Sequence, residues 1–207
     1  MRTGFHAMRR RHPFLLALLV FVAGCRGNPP APGRYAPGDA GHNLDHGVLD
    51  AALSDLLESP DFLRPGLSRP RIVLGDATLP SGAGASTCSG NDADKGVPED
   101  ALQDLRSRNP KGTSYSLAAY RPTDPRVVVA DLGPVFRRDP EGDAVYASYP
   151  DARGYVQPLL PGYSRDGRTA VFRFSFGPTG HWGFGSYRLD REGGRWAVTS
   201  RFLFYGN

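Results

Sequence analysis

Beyond the first twenty-five residues the chain has three histidines, His42, His46 and His181. His181 stands beside Trp182 in Gly177-Pro-Thr-Gly-His-Trp182, a glycine-bounded tip. An imidazole there could act as a general base or touch a ligand. Its nucleophile would come from Ser164, Ser175 or Ser186, and its orienting acid from Asp131 or Asp190. No Gly-x-Ser-x-Gly elbow selects among the serines, and Ser186, in Gly185-Ser-Tyr, lacks the second glycine. His181 is thus the sole catalytic candidate. The plainer reading is a turn histidine stacked beside an aromatic ring. His42 and His46 have the i, i+4 spacing of two zinc ligands on one helix face. No Glu stands between them in a His-Glu-x-x-His arrangement, and Gly47 follows at once. We expect no metal and no cofactor.

Asn91-Asp-Ala-Asp-Lys95 offers side-chain oxygens for calcium, but it departs from the EF-hand spacing and lacks the closing glutamate. It reads as part of a surface loop running from Asp76 to Gly96. Cys88 lies in the same loop, with no adjacent base in sequence to lower its pKa. Arg173, Arg188 and Arg201 fall on alternating stretches near the C-terminus. On one outer face, beside His181 and Trp182, they would form a binding surface for an anionic partner. The competing reading is a solvated face laced with Asp190 and Glu192. There is no Gly-rich phosphate loop and no dinucleotide fingerprint.

The best-defined chemistry belongs to Cys25. Arg2, Arg9, Arg10 and Arg11 precede the apolar run Phe14–Ala23, and Val22-Ala23-Gly24-Cys25 closes it. The order basic, apolar, small is that of a secretory leader, and the run is too short for a transmembrane span, which needs roughly 20 residues. The final four residues resemble the bacterial lipobox. That resemblance implies cleavage before Cys25, a diacylglycerol on its thiol and acylation of the new amine by a chain such as palmitate. Two or more acyl chains make a stable anchor where one does not. Arg26 follows the cysteine. By resemblance to lipoproteins of two-membrane bacteria, the absence of aspartate there implies an outer-membrane address in a host with two membranes, with the domain facing the periplasm.

Charge supports this division. The chain of 207 residues carries 25 basic and 21 acidic residues; without the four leader arginines the basic count is also 21. A balanced domain gives no electrostatic footprint for nucleic acid, so no nucleic-acid partner is expected. If Cys25 is acylated, Cys88 has no intrachain partner. We therefore expect a leader over residues 1–24, a Pro/Gly tether over 25–42 and one domain over 43–207.

Within the domain, Leu44, Val48, Leu49, Ala52, Leu53, Leu56 and Leu57 form a helical stripe. Gly47 weakens its first turn, and the helix could start there. Pro98–Arg106 reads as a second helix, with Glu99 and Asp100 at its positive end. Residues 143–149 read as one or two further turns. Ile72–Leu74, Ser114–Tyr120, Arg126–Asp131 and Arg153–Gln157 read as strands. In Thr169–Phe176, Ala170, Phe172, Phe174 and Phe176 alternate with Thr169, Val171, Arg173 and Ser175, the period of a half-buried strand. His181–Leu189 returns, with Gly183 and Gly185 leaving one face bare for another segment. Arg195–Phe204 closes the set, with Trp196, Val198, Phe202 and Phe204 inward. A bulge near Ser200 would change the side on which Arg201 lies. The expected fold is α+β: an antiparallel sheet ending in a three-strand C-terminal meander, packed against two or three short helices.

The stretch Tyr155-Val-Gln-Pro-Leu-Leu-Pro-Gly-Tyr-Ser-Arg-Asp-Gly-Arg-Thr-Ala-Val171, followed by Gly185-Ser-Tyr-Arg-Leu189 and Gly194-Arg-Trp-Ala-Val198, resembles a group of uncharacterised bacterial secreted proteins and lipoproteins. The likeness spans roughly the last third of the chain. Many members of that group carry cysteines at the tip of the first hairpin. Here Gly177–Trp182 stands in their place, so a disulfide or metal role for the tip does not transfer. The resemblance implies no activity.

The expected function is that of a cell-envelope lipoprotein, held to the bilayer through Cys25, with a non-enzymatic binding or structural domain. An envelope protein or a cell-wall component would be its partner. The alternatives are a small periplasm-facing hydrolase or ligand-binding domain with a pocket near His181, and a periplasmic protein that inhibits, or protects against, another protein.

Overall fold

A computed structural model describes residues 41–60, 62, 70–80, 92–139, 144–177 and 183–205, with side chains from residue 44 onward. Cys25, Cys88, His181, Trp182 and the His42 side chain lie outside the described residues. The fold is mixed α+β, a multi-strand sheet with a few helices.

Helix α1 spans Gly41–Glu58. Its stripe is buried as the spacing requires: Val48, Leu49, Ala52, Leu53, Leu56 and Leu57 are at most 2% exposed. The helix does not begin at Gly47. It runs straight through it, and a Cβ there would stand 3.1 Å from the Trp196 ring. The glycine makes room for the indole.

Strands β1 (Arg71–Gly75), β2 (Val127–Ala130), β3 (Ala152–Pro158), β4 (Gly162–Tyr163), β5 (Thr169–Gly177), β6 (Gly183–Glu192) and β7 (Arg195–Tyr205) form one sheet, and the remaining helices are α2 (Glu99–Arg108), α3 (Gly133–Arg138) and α4 (Ala144–Ser148). Its order is β2-β1-β3-β5-β6-β7, with β4 paired to β5. The sheet is mixed, not wholly antiparallel as expected, because β1 pairs parallel with both β2 and β3. Parallel neighbours need long crossovers. The chain supplies them: α2 lies between β1 and β2, and α3 and α4 lie between β2 and β3. β5, β6 and β7 pair antiparallel in chain order. Gly193 and Gly194 turn the last hairpin with φ of 55° and 86°, a pair of left-handed residues that suits a two-residue turn.

Both faces of the sheet are covered. α1 packs on Ile72, Leu74, Val156, Phe172, Phe174, Phe176, Tyr187 and Leu189. On the other face α2 covers Val171 and Phe184, and α3 and α4 cover Val73 and Tyr155. β5 is therefore buried on both sides, not half-buried as its alternation suggests. The alternation itself holds, since Phe172 pairs with Tyr187 and Arg173 with Ser186 on opposite faces. Gly183 and Gly185 are bare for the reason foreseen. A Cβ at either would stand 2.2 Å or 2.1 Å from the rings of Phe176 and Phe174.

Two expectations fail locally. Ser114–Tyr120 is not a strand; Ser116 makes a single bridge to Ala77, and Tyr120 instead turns inward to α1. Phe202 and Phe204 do not share a face with Trp196 and Val198. The register shifts opposite Arg188 and Leu189, so the pairs run Arg188 with Ser200 and Leu189 with Val198. Thr199 is the extra residue, and it inverts the second half of β7.

Candidate functional site

The most concentrated chemistry among the described residues lies where α1, α2 and β4 meet. Asp45, in the first turns of α1, accepts two bonds from Arg108 at the end of α2, Nη1 to Oδ1 at 2.9 Å and Nη2 to Oδ2 at 2.8 Å. The Tyr163 hydroxyl of β4 donates to the same Oδ1 at 2.7 Å. Arg108 also donates to the Pro161 carbonyl, and its guanidinium sits 5.3 Å over the Tyr163 ring. The two ion-pair side chains are only 4% and 8% exposed. This is a planar fork on a carboxylate, a geometry that arginine makes and lysine does not.

The electrostatics follow from that packing. Burial would push the Arg108 guanidinium down, but the Asp45 carboxylate outweighs it and the net shift is upward. Burial, reinforced by Asp45, holds the Tyr163 phenol well above its usual range, so it stays a neutral donor. β4 reaches α2 because residue 162 is glycine: a Cβ there would meet the Ala101 carbonyl oxygen and the Leu105 amide nitrogen, each at 2.4 Å. Asn109 completes the seam, donating to the Leu105 and Leu160 carbonyls and accepting the Leu160 N–H, each at 2.8 Å.

Asp104 is the ill-matched member. Its Oδ2 accepts the Tyr163 N–H at 2.9 Å, while its buried Oδ1 has no hydrogen-bond partner. Burial raises its pKa, the Tyr163 N–H and Arg108 pull it down, and the rise prevails. A carboxyl whose folded pKa is raised binds its proton more tightly in the folded state. Its contribution to stability is full below the unfolded pKa and is lost as pH rises through the folded pKa. Asp104→Asn should therefore flatten the stability profile across that window. At neutral pH it should lie within about 1 kcal/mol of the parent or above it, and it should compare less favourably in acid. Urea unfolding between weakly acidic and neutral pH would show this. An unchanged pH slope would count against it.

The arrangement is a closed polar lock: apart from the Asp104 Oδ1, its groups are satisfied by one another. Arg153 is a second one: it is 8% exposed and donates to the carbonyls of Leu57, Ser59 and Phe62 at the end of α1. Neither set was foreseen from sequence.

The three arginines of the expected binding surface are not brought onto one face. Arg173 is 5% exposed, ion-paired with Asp94 and 5.9 Å from the Phe184 ring. Arg188 shares its face but pairs with Asp190 and donates to the Gly96 carbonyl at 2.7 Å. Arg201 lies on the opposite face, because of the bulge, and donates to Asp55 of α1 at 2.8 Å.

Of the hydrolase candidates, Ser164, Ser186, Asp131 and Asp190 have structural partners as well. Ser164 donates to Asp166 at 2.7 Å and accepts the Thr169 N–H, holding the β4–β5 turn. Ser186 donates to the Ala93 carbonyl at 3.2 Å. Asp131 accepts the Gly133 N–H at 2.9 Å at the start of α3. Asp190 accepts from Thr169, Arg188 and Thr199; these bonds outweigh its burial and hold its pKa down. The His46 ring packs 4.9 Å from that of Tyr120. Among the described residues no three metal-ligating side chains cluster, and no helix is long and apolar enough to cross a membrane. No protein-family model matches the chain, and no curated protein or solved structure matches it either.

Proposed function

We propose that this is a lipid-anchored domain of the bacterial cell envelope with a binding or structural role. It would sit at the outer membrane of a host that has one, facing the periplasm. One observation carries the reading: Arg9–Arg11, Phe14–Ala23 and Val22-Ala-Gly-Cys25 stand in the register that leader cleavage and thiol acylation require. The Pro-rich stretch after Cys25 suits a spacer between bilayer and domain. In this reading the C-terminal strands act as one meander, the rigid platform of a member of the secreted-protein group that the last third resembles. An envelope protein or wall component is its partner. The internal ion pairs of Arg173, Arg188 and Arg201 favour a role in holding the platform together.

Cys25→Ser is expected to abolish palmitate incorporation and to shift the protein from the membrane to the soluble fraction of the envelope. Retained label together with retained membrane association would reject the anchor. A soluble, unlabelled parent chain would reject it equally.

A further inference from the structure

One end of the sheet gathers exposed arginines that have no acidic partner. Arg165 and Arg168 stand in the turn between β4 and β5, and Arg191 and Arg195 stand on the hairpin of β6 and β7. The two turns are joined, since the Arg191 N–H donates to the Arg168 carbonyl at 2.7 Å. All four side chains are exposed, and among the described residues none of them forms an ion pair. Arg191 lies instead 5.7 Å over the ring of the half-buried Trp196. The acids nearby are mostly engaged elsewhere. Asp100 accepts the Ala101 and Arg165 N–H groups, Asp166 accepts from the Ser164 hydroxyl and the Arg168 N–H, and Asp190 is paired with Arg188. Glu192, opposite Arg195 in the register, is the exposed acid that remains. Both turns are tipped by glycine: Gly167, Gly193 and Gly194 have open space where a side chain would stand, so nothing there holds the arginines away from a flat surface.

The chain from Cys25 enters the domain at this same end. α1 runs beside β7 in the same sense, because its Gly47 lies against Trp196 and its Asp55 accepts from Arg201. The helix from Gly47 back to its start at Gly41 covers about 9 Å, and the strand from Trp196 back to the hairpin tip covers about 10 Å. α1 therefore begins level with the arginine tip. The 15 residues between Cys25 and Gly41 reach about 50 Å at full stretch. Acyl chains on Cys25 would keep this end of the domain near the bilayer, where weak contacts act at high effective concentration. The chemistry suits that surface. A guanidinium matches phosphate oxygens with its fork, and an indole is at home at headgroup level. Each basic residue close to an anionic leaflet strengthens the attraction roughly fivefold. We infer that the tip formed by Arg165, Arg168, Arg191 and Arg195, with Trp196, docks on anionic phospholipid headgroups of the bilayer that holds the anchor. The start of α1 and the β6–β7 hairpin then face the membrane, and α4 faces away from it.

This docking rests on the acyl anchor proposed above, and the test separates the two. The full chain, purified from its own membranes in a Cys88→Ser background, carries one reporter cysteine: Ala197→Cys beside the tip, or Ala147→Cys on α4. α4 leads into β3, whose start lies beyond the Gly177 end of β5, at the far end of the sheet. A fluorophore on each is read by quenching from a headgroup-nitroxide lipid, with the protein in phosphatidylcholine vesicles containing about one-third phosphatidylglycerol. Quenching at 197 should exceed that at 147 about threefold or more. Pure phosphatidylcholine, salt of about 1 M, or the triple change Arg165→Gln, Arg168→Gln and Arg195→Gln should each bring the signal at 197 down to that at 147, with an unchanged circular dichroism spectrum for the variant. Equal quenching at the two positions, or an excess at 197 that survives neutral lipid or the triple change, overturns the docking. In a parent that carries the acyl mass, that outcome rejects the tip alone. A parent without acyl mass that fails to float with the vesicles rejects the anchor and the docking together.

Discussion

Asp45→Ala is expected to destabilise the protein by about 3–5 kcal/mol, the cost of leaving a buried charge without its partner. The carboxylate serves two donors that have no water to turn to. Arg108 gives it a two-point contact at 2.9 and 2.8 Å, and Tyr163 gives it a third bond at 2.7 Å. Removing the acid strands a guanidinium whose side chain is 4% exposed. A domain of this size has only about 5–15 kcal/mol of stability, so the loss is a large share of the whole. Arg108→Met should cost less than Asp45→Ala, because the carboxylate keeps the Tyr163 hydroxyl. The double change Asp45→Leu with Arg108→Met should recover much of the loss, as apolar replacements of buried pairs commonly do. Chemical denaturation of the parent, Asp45→Leu, Arg108→Met and their double form gives the coupling directly. A coupling below about 0.5 kcal/mol would mean that the pair is wet and that the lock does not exist.

That lock shows where reading the sequence stops. α1 was legible because seven apolar residues recur at helical spacing, and each spacing is local. The Phe172, Phe174 and Phe176 alternation and the bare faces of Gly183 and Gly185 were legible for the same reason, and their rings and glycines meet across one hairpin. Asp45, Arg108 and Tyr163 are separated by 63 and 118 positions, and nothing local in any of them announces the others. The parallel placement of β1 escaped likewise, since a three-residue apolar run has no direction written in it. α3 did leave a signal that went unused. Asp131 and Pro134 bracket its start, the one accepting the Gly133 N–H and the other fitting the first helical turn. The aromatic faces of β7 were misassigned because one extra residue at Thr199 reverses everything after it; a bulge near Ser200 was weighed for Arg201, but its consequence for Phe202 and Phe204 was not drawn. For Arg173, Arg188 and Arg201, residue type suggested a shared outward role. Their actual neighbours are Asp94 in the turn before α2, Asp190 on Arg188's own strand and Asp55 of α1, and of these only the local one, Asp190, was in view from the sequence.

The second large effect is expected at Arg153, which closes the far end of α1. A helix leaves its last carbonyls without partners, and here they are buried where water cannot reach them. Arg153 donates Nη1 to Leu57 at 2.8 Å, Nη2 to Ser59 at 2.6 Å and Nε to Phe62 at 2.6 Å. Three carbonyls on a turning chain are matched by one rigid fork anchored in the central strand β3. Arg153→Met removes all three bonds; the Leu57 and Phe62 carbonyls lose this donor, and the Ser59 carbonyl keeps only the Phe62 N–H at 3.4 Å. With charged donors worth about 1.5–3 kcal/mol each and overlapping in effect, the loss should be about 3–5 kcal/mol. Arg153→Lys keeps the charge but has a single nitrogen, which cannot span three acceptors. It should therefore recover less than half of that loss. Hydrogen exchange separates this defect from a general one. The amides of Leu56 and its neighbours at the end of α1 should lose protection in Arg153→Lys before those of β5 do, because the fork holds the helix end to the sheet. Uniform loss across α1 and β5, or full rescue by lysine, would show that Arg153 acts only as a charge and not as a cap.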